Sequence, residues 1–187
     1  MMNLPQPVFH LTLAEYLAWE AEQDERHEYI RGEVYAMAGG TLAHNAATLA
    51  IGATLRQHLK GTPCRVFVSD VKVRIEASDA HFYPDVVVTC ATQDVADPKA
   101  LLLREPLLIV EVLSPSTAAF DRGGKFAHYR LLLSLQEYVL IDPDTAQVDV
   151  FRRNAANRWE LYPSDGPQTP ITLSSIHWEG VVQDWLS

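Results

Sequence analysis

The sequence predicts an α/β (α+β) fold, a mixed sheet flanked by helices, and three observations carry that reading. Helical periodicity is confined to a few stretches, short runs of branched aliphatic residues fill the middle of the chain, and turn residues separate them. With 187 residues, 48% hydrophobic and 21% charged, the chain can bury roughly 70% of its unfolded surface in one core. No linker, repeat or low-complexity tract interrupts it, so one domain over 1–187 is expected.

The elements follow in order. Thr12 to about Gln23 reads as an amphipathic helix, with Thr12 as N-cap and Glu15 completing a capping box. Glu28-Tyr29-Ile30 and Glu33 to Met37 flank Arg31-Gly32 as a short hairpin, and Gly39-Gly40 ends it. A second helix follows Thr41 to about Lys60, its apolar positions including Leu42, Ala46, Leu49, Ala53 and Leu55; Gly61-Thr62-Pro63 stops it. Arg65 to Ile75 is one long or broken strand, Phe82 to Cys90 another, and Leu107 to Leu113 a central one entered through Pro106. Residues 91–105 connect the last two, with room for a short helix. A helix over about Asp121–Leu133 and the strand Glu137 to Ile141 come next. Val148 to Phe151 and Trp159 to Tyr162 form a late hairpin around Asn154–Asn157, followed by a strand near Ile171–Leu173 and a helical turn over Val181–Leu186.

Charge and cysteine usage bound the function. A net charge of −9 counts against strong non-specific duplex binding, which usually needs a broadly basic face. Any basic face must be local, drawn from Arg65, Lys72, Arg74, Arg104, Arg122, Lys125, Arg130, Arg152 and Arg153. No apolar run is long enough to span a bilayer, and the N-terminus has no basic segment followed by an apolar one. Cys64 and Cys90 lie in apolar surroundings and read as buried reduced thiols of a cytoplasmic protein.

Two acids stand where acids are costly. Glu111 sits inside Leu107-Leu108-Ile109-Val110-Glu111-Val112-Leu113, and an ionised carboxylate there requires a cation, hydrogen bonds or a metal. Asp85 opens Tyr83-Pro84-Asp85-Val86-Val87-Val88. Two carboxylates delivered by two core strands suggest a divalent-cation site, hence phosphate chemistry. Plainer readings stand beside these. Glu111 can simply pair with Lys125, and Asp85 can accept backbone hydrogen bonds at a strand start. Asp121 reads as a helix N-cap, Tyr129 as a core residue, and His44 as capping or packing at the second helix. Glu28 is either a third carboxylate near the metal or a solvated strand residue. No His-Glu-x-x-His string, phosphate-binding Gly-rich loop or nucleophile elbow is present.

The strings Tyr83-Pro84-Asp85-Val86-Val87-Val88 and Val110-Glu111-Val112-Leu113-Ser114-Pro115-Ser116-Thr117 lead into Asp121, Lys125 and Tyr129, then Glu137-Tyr138-Val139-Leu140-Ile141-Asp142-Pro143. Together they resemble the Uma-type restriction endonuclease family of the PD-(D/E)XK nuclease superfamily. The likeness runs from about Leu11 to Phe151, including Tyr29 to Glu33 and His44. It implies a restriction endonuclease-like αβββαβ core preceded by the N-terminal helix and hairpin. It also implies Mg²⁺ or Mn²⁺ held by Asp85, Glu111 and the backbone carbonyl of Val112, DNA as partner and substrate, and a homodimer. Lys125 and Glu28 would complete the catalytic set. One departure is plain: the superfamily lysine two residues after the second acid is Leu113 here. The resemblance implies that Lys125, one helical face with Asp121 and Tyr129, takes its place. The rival class is a non-catalytic binding or assembly module that keeps the fold.

Overall fold

The computed structural model describes residues 7–37 and 39–186. The first helix is α1, Leu13–Glu20, and its capping box is formed: Thr12 Oγ1 caps the Glu15 N–H while Glu15 reaches back to the Thr12 N–H. The hairpin is β2, His27–Ile30, with β3, Glu33–Ala36, and β1, Phe9–His10, adds to its edge. Arg31 and Gly32 both take positive φ, which a two-residue hairpin turn of the right twist requires. The long helix α2 is Leu42–His58, capped by Thr41.

The predicted strand Arg65 to Ile75 is two strands in two different sheets: β4, Arg65–Val68, and β5, Lys72–Ile75. Ser69 breaks it with φ of 58°. The next predicted strand divides the same way. Residues Ala80–Phe82 form β6, Val86–Thr89 form β7, and Tyr83-Pro84-Asp85 bridges them. Pro84 has no N–H to continue a ladder, so the chain changes sheets there. After α3, Thr92–Val95, and β8, Leu102–Leu103, comes β9, Pro106–Val112. Then α4, Ala118–Phe120, a π turn at Asp121–Lys125 and α5, Phe126–Tyr129, run on from one another. The remaining strands are β10, Glu137–Asp142, β11, Gln147–Arg153, β12, Trp159–Asp165, β13, Pro170–Leu173, and β14, Trp178–Val181. A 3-10 turn over Val182–Trp185 closes the described chain.

Among the described residues the strands make two six-stranded sheets, ordered β1-β3-β2-β6-β5-β8 and β12-β11-β10-β9-β7-β4, plus the β13-β14 ribbon. The second sheet is mixed, since β9 and β10 are parallel while its other pairs are antiparallel. Alternation along β9 divides its side chains between two cores. Leu108, Val110 and Val112 pack with α2 and the C-terminal segment. Ile109 and Leu113 face the first sheet and α5. Glu111 shares that second face.

The expectation of reduced thiols is overturned: Cys64 and Cys90 form a disulfide with a Cα–Cα distance of 4.0 Å. Antiparallel pairing of Arg65 with Thr89 sets the two cysteines opposite each other. That register depends on tertiary pairing, which isolated cysteines in a sequence do not reveal. The premise behind a cytoplasmic location is thereby removed. No helix among the described residues is long and apolar enough to cross a membrane.

Candidate active site

The crossing from β6 to β7 puts Asp85 at the seam between the two sheets. Antiparallel pairing of Val86 with Val110 extends to set Asp85 across from Glu111. The Val112 N–H donates to Asp85 Oδ2 at 2.7 Å, and the Asp85 N–H points at Glu111 Oε2 at 3.4 Å. The sequence thus holds both acids by backbone contacts between adjacent chain segments. Such contacts fix the carboxylates more tightly than side-chain packing alone.

Lys125 enters from the π turn. Its Nζ lies 2.9 Å from Glu28 Oε1, 3.3 Å from Glu111 Oε1 and 3.4 Å from Asp121 Oδ1. Glu28 Oε1 and Asp121 Oδ1 are within ion-pair range yet outside hydrogen-bonding geometry, so both stay buried without a hydrogen bond. The Tyr129 hydroxyl donates to Glu111 Oε1 at 3.1 Å. The helix carrying these residues bulges into a π turn, a distortion that recurs at functional sites. Gly124 permits it: a Cβ there would sit 2.2 Å from the Phe120 ring. The glycine that weakens this helix locally is what lets Phe120 close over the turn.

The structure therefore brings Asp85, Glu111, Lys125 and Glu28 together. It corrects several other readings. Asp121 is not a helix N-cap; the helix starts three residues earlier, and the Asp121 side chain is buried against Lys125. Tyr129 is core-facing as expected, and its hydroxyl also serves the site. Glu28 is buried, not solvated. Leu113 lies in the apolar core with Tyr129 and Phe82, a surrounding that would strand an ammonium.

His44 was read as a capping or packing residue, and it does more. Its Nε2 is 3.3 Å from Asp85 Oδ2. The bond to Asp85 raises the imidazole pKa against the opposing effect of partial burial. Its place at the start of α2, right after Gly39-Gly40, gave no local sign of this, because Asp85 is distant in sequence.

Glu28, His44, Asp85, Glu111, Asp121 and Lys125 line one cavity of about 450 Å³, walled by β2 and β3 on one side and by Asp85, Glu111, Val112 and the π turn on the other. Its electrostatics are lopsided. Glu28, Glu111 and Asp121 share the single ammonium of Lys125, while Asp85 faces the His44 imidazole. Burial, and the neighbouring Asp121, Asp85 and Glu28, push the Glu111 pKa well up although Lys125 opposes them. Burial likewise raises Glu28. Burial alone would lower Lys125, but Glu111, Glu28 and Asp121 outweigh it and hold the ammonium charged. Among the described residues no three His, Cys, Asp or Glu side chains are arranged to hold an ion by themselves.

A family model described as "Uma2: Putative restriction endonuclease" matches residues 13–181. Two uncharacterized proteins of Synechocystis sp. are 39% and 36% identical to the chain. The first alignment spans 82% of the chain and 80% of the relative, the second 88% and 93%. A crystal structure of "a putative nuclease belonging to DUF820" from Anabaena variabilis superposes with a TM-score of 0.78 at 22% identity. It covers 95% of the chain and 99% of that protein, which establishes a shared nuclease-type fold.

Proposed function

Because the chain belongs to the Uma2 family, we propose that it is a divalent-metal-dependent endonuclease hydrolysing DNA phosphodiester bonds. One observation carries the reading: three carboxylates converge on one ammonium, with Asp85 beside them, in an open cavity, more acid than a single lysine balances and a setting that calls for a cation. A purely structural ion pair would be balanced.

The donor chemistry fits Mg²⁺ or Mn²⁺. Asp85, Glu111 and the Val112 carbonyl offer hard oxygen ligands at one rim, and Mg²⁺ is commonly held by two carboxylates with waters and substrate phosphate. Fewer than three convergent carboxylate or histidine ligands is the normal arrangement for such a site. When bound, the ion would polarise the scissile phosphate and lower the pKa of a water. The remaining roles fall to the chain. Lys125, kept charged by its carboxylate neighbours, is a fixed positive charge for the phosphate and not a base. Asp121 holds Lys125 in place, and Tyr129 orients Glu111 by its hydrogen bond. Glu28, with its pKa raised by burial, is a stronger base than a surface glutamate, which supports assigning it to take a proton from the attacking water.

The test is cleavage of plasmid and oligonucleotide substrates with Mg²⁺ or Mn²⁺. Wild type nicks or cuts DNA, while Asp85→Asn and Lys125→Ala each lose at least about a hundredfold in rate. A wild type inert toward duplex DNA, single-stranded DNA and RNA would sink the proposal and favour the non-catalytic module.

A further inference from the structure

The cavity that holds the acids also has an apolar wall. Antiparallel pairing sets Tyr35 on β3 directly across from Glu28 on β2, so the two side chains share one face of the hairpin. Ile30, two residues after Glu28, joins them on that face, and Met37, exposed just past β3, lines the same cavity. The Tyr35 hydroxyl donates to Glu33, which fixes the tilt of its ring. From the other wall comes Phe120, half-buried at the entry to the π turn. A hard cation and a phosphate call for oxygen ligands and charged donors, and neither has a use for aromatic and aliphatic surface.

We propose that this wall receives one unpaired nucleobase, which makes single-stranded or locally unpaired DNA the substrate class. What happens to the phosphate rests on the nuclease reading; the binding does not. A volume of about 450 Å³ is of the size that encloses a small organic ligand. A base inside a duplex has both faces covered by its neighbours and reaches such a cavity only by leaving the stack. An aromatic wall takes any base, because every base has a π face. The hydroxyls of Ser114, Ser116 and Thr117 line the cavity too, Ser114 Oγ lying 3.0 Å from each of the other two. Being neutral and able to donate or accept, they suit the edge of any base. Since Tyr35 adjoins Glu28 in the register, a base on Tyr35 carries its own phosphate to the carboxylates.

Charge points the same way. A protein that grips a duplex does so by pairing many phosphates with Lys and Arg. Among the described residues lining the cavity, Lys125 is the single Lys or Arg, and Glu28, Glu111 and Asp121 already share it. The chain as a whole carries −9. Little positive charge is left at the cavity for a run of phosphates, so affinity has to come from a neutral source. Stacking of a base on an aromatic side chain is such a source. It costs a duplex the pairing of that base and costs a single strand far less.

Fluorescence anisotropy of labelled oligonucleotides on the full chain, with Ca²⁺ as the hard cation, tests the base pocket. A short single strand binds at least about fivefold tighter than the same sequence as a blunt duplex, and than an abasic chain of equal length and charge. Its affinity falls less than about tenfold between roughly 50 and 200 mM salt, against about a thousandfold or more for a protein that grips six phosphates. Phe120→Leu keeps an apolar side chain over the π turn and removes the flat ring; it weakens single-strand binding about fivefold and leaves duplex binding unchanged. Duplex or abasic chain bound as tightly as the single strand, a steep salt dependence, indifference to Phe120→Leu, or no binding at all each overturns the proposal. The duplex and abasic comparisons use the wild type, so they decide the matter even if Phe120→Leu misfolds. Cleavage separates the two readings. Single-strand binding with no substrate cut sinks the nuclease alone, whereas cutting that ignores strandedness sinks the base pocket alone.

Discussion

Glu111 on β9 and Glu137 on β10 are buried carboxylates on adjacent parallel strands, and they are opposite kinds of acid. The register pairs Glu137 with Leu108 and Leu140 with Glu111, an offset of three residues that turns the two side chains to opposite faces of the sheet. Glu137 is fully satisfied. Arg152 Nε donates to it at 2.7 Å, the N–H groups of Ser174 and Ser175 donate at 3.1 and 3.0 Å, and the Ser175 hydroxyl adds a fourth bond. Glu111 receives Tyr129 and a share of Lys125, and three further carboxylates crowd it. One acid ties the C-terminal segment to the sheet; the other waits at an opening. A buried carboxylate is therefore not in itself the mark of a site. The mark is one whose charge its own neighbours leave uncompensated beside a cavity.

The sharpest way to break the comparison is to remove each acid in turn. Glu137→Leu strands Arg152 and two backbone donors, so it costs about 3 kcal/mol, the usual scale for breaking a buried ion pair. For a chain of this size that lowers Tm by roughly 10 °C. Thermal melts should show this loss with the Mn²⁺ response intact. If Glu137→Leu melts like wild type, the two acids do not differ as described.

Glu111→Gln should do the reverse. Removing one of four crowded carboxylates leaves the metal-free protein at least as stable as before. It also abolishes the stabilisation by Mn²⁺, which in wild type amounts to about 2.7 kcal/mol at a hundredfold excess over Kd. Equal thermal shifts in both proteins would exclude Glu111 as a ligand.

Both acids were legible as residue types, but only one was legible as a site. Glu111 interrupts an aliphatic run, and Asp85 follows a proline at a strand start, so local pattern alone marked them. Glu137 opens its strand and gave no such signal, since its partners come from Ser174 and Ser175 across a tertiary contact. The same reason hid His44, the Cys64–Cys90 bridge and the division of two predicted strands between two sheets. Strand positions and helix caps follow from neighbours in sequence. Register and sheet membership depend on partners elsewhere.

A third way to sharpen the contrast removes the cation. Lys125→Met leaves Glu28, Glu111 and Asp121 without their shared ammonium. A carboxylate with a raised folded pKa holds its proton in the native state after the unfolded chain has released it. Stability is then greatest at low pH and is lost as pH rises through the folded value. Lys125→Met should raise the Glu28 and Glu111 pKa values further, since the nearby positive charge that lowers both is gone. The variant should therefore be less stable than wild type at pH 8 and approach it near pH 5, as read by urea unfolding. A deficit independent of pH would mean that Lys125 acts by packing and not by charge.

The smallest expected effect concerns a buried base in the other sheet. His81 is almost wholly buried beside the rings of Tyr16 and Tyr29, and its Nδ1 has no hydrogen-bond partner. Burial, with Arg74 and Lys72 nearby, depresses its pKa to about 4. The sign is opposite to that of Glu111. The native state keeps His81 neutral while the unfolded chain takes up a proton below its ordinary value of 6.5. The stability it contributes is present above that value and is lost as pH falls through the folded one. Allowing for solvent screening, roughly 1 kcal/mol should disappear between pH 7 and pH 5. His81→Phe fits the same aromatic nest, so it should match wild type at pH 7 within about 1.5 kcal/mol and lose less stability on acidification. If both proteins lose stability in parallel over that range, His81 is not the group that titrates. The rule that an uncompensated buried charge shows itself in pH dependence would then hold only at the cavity.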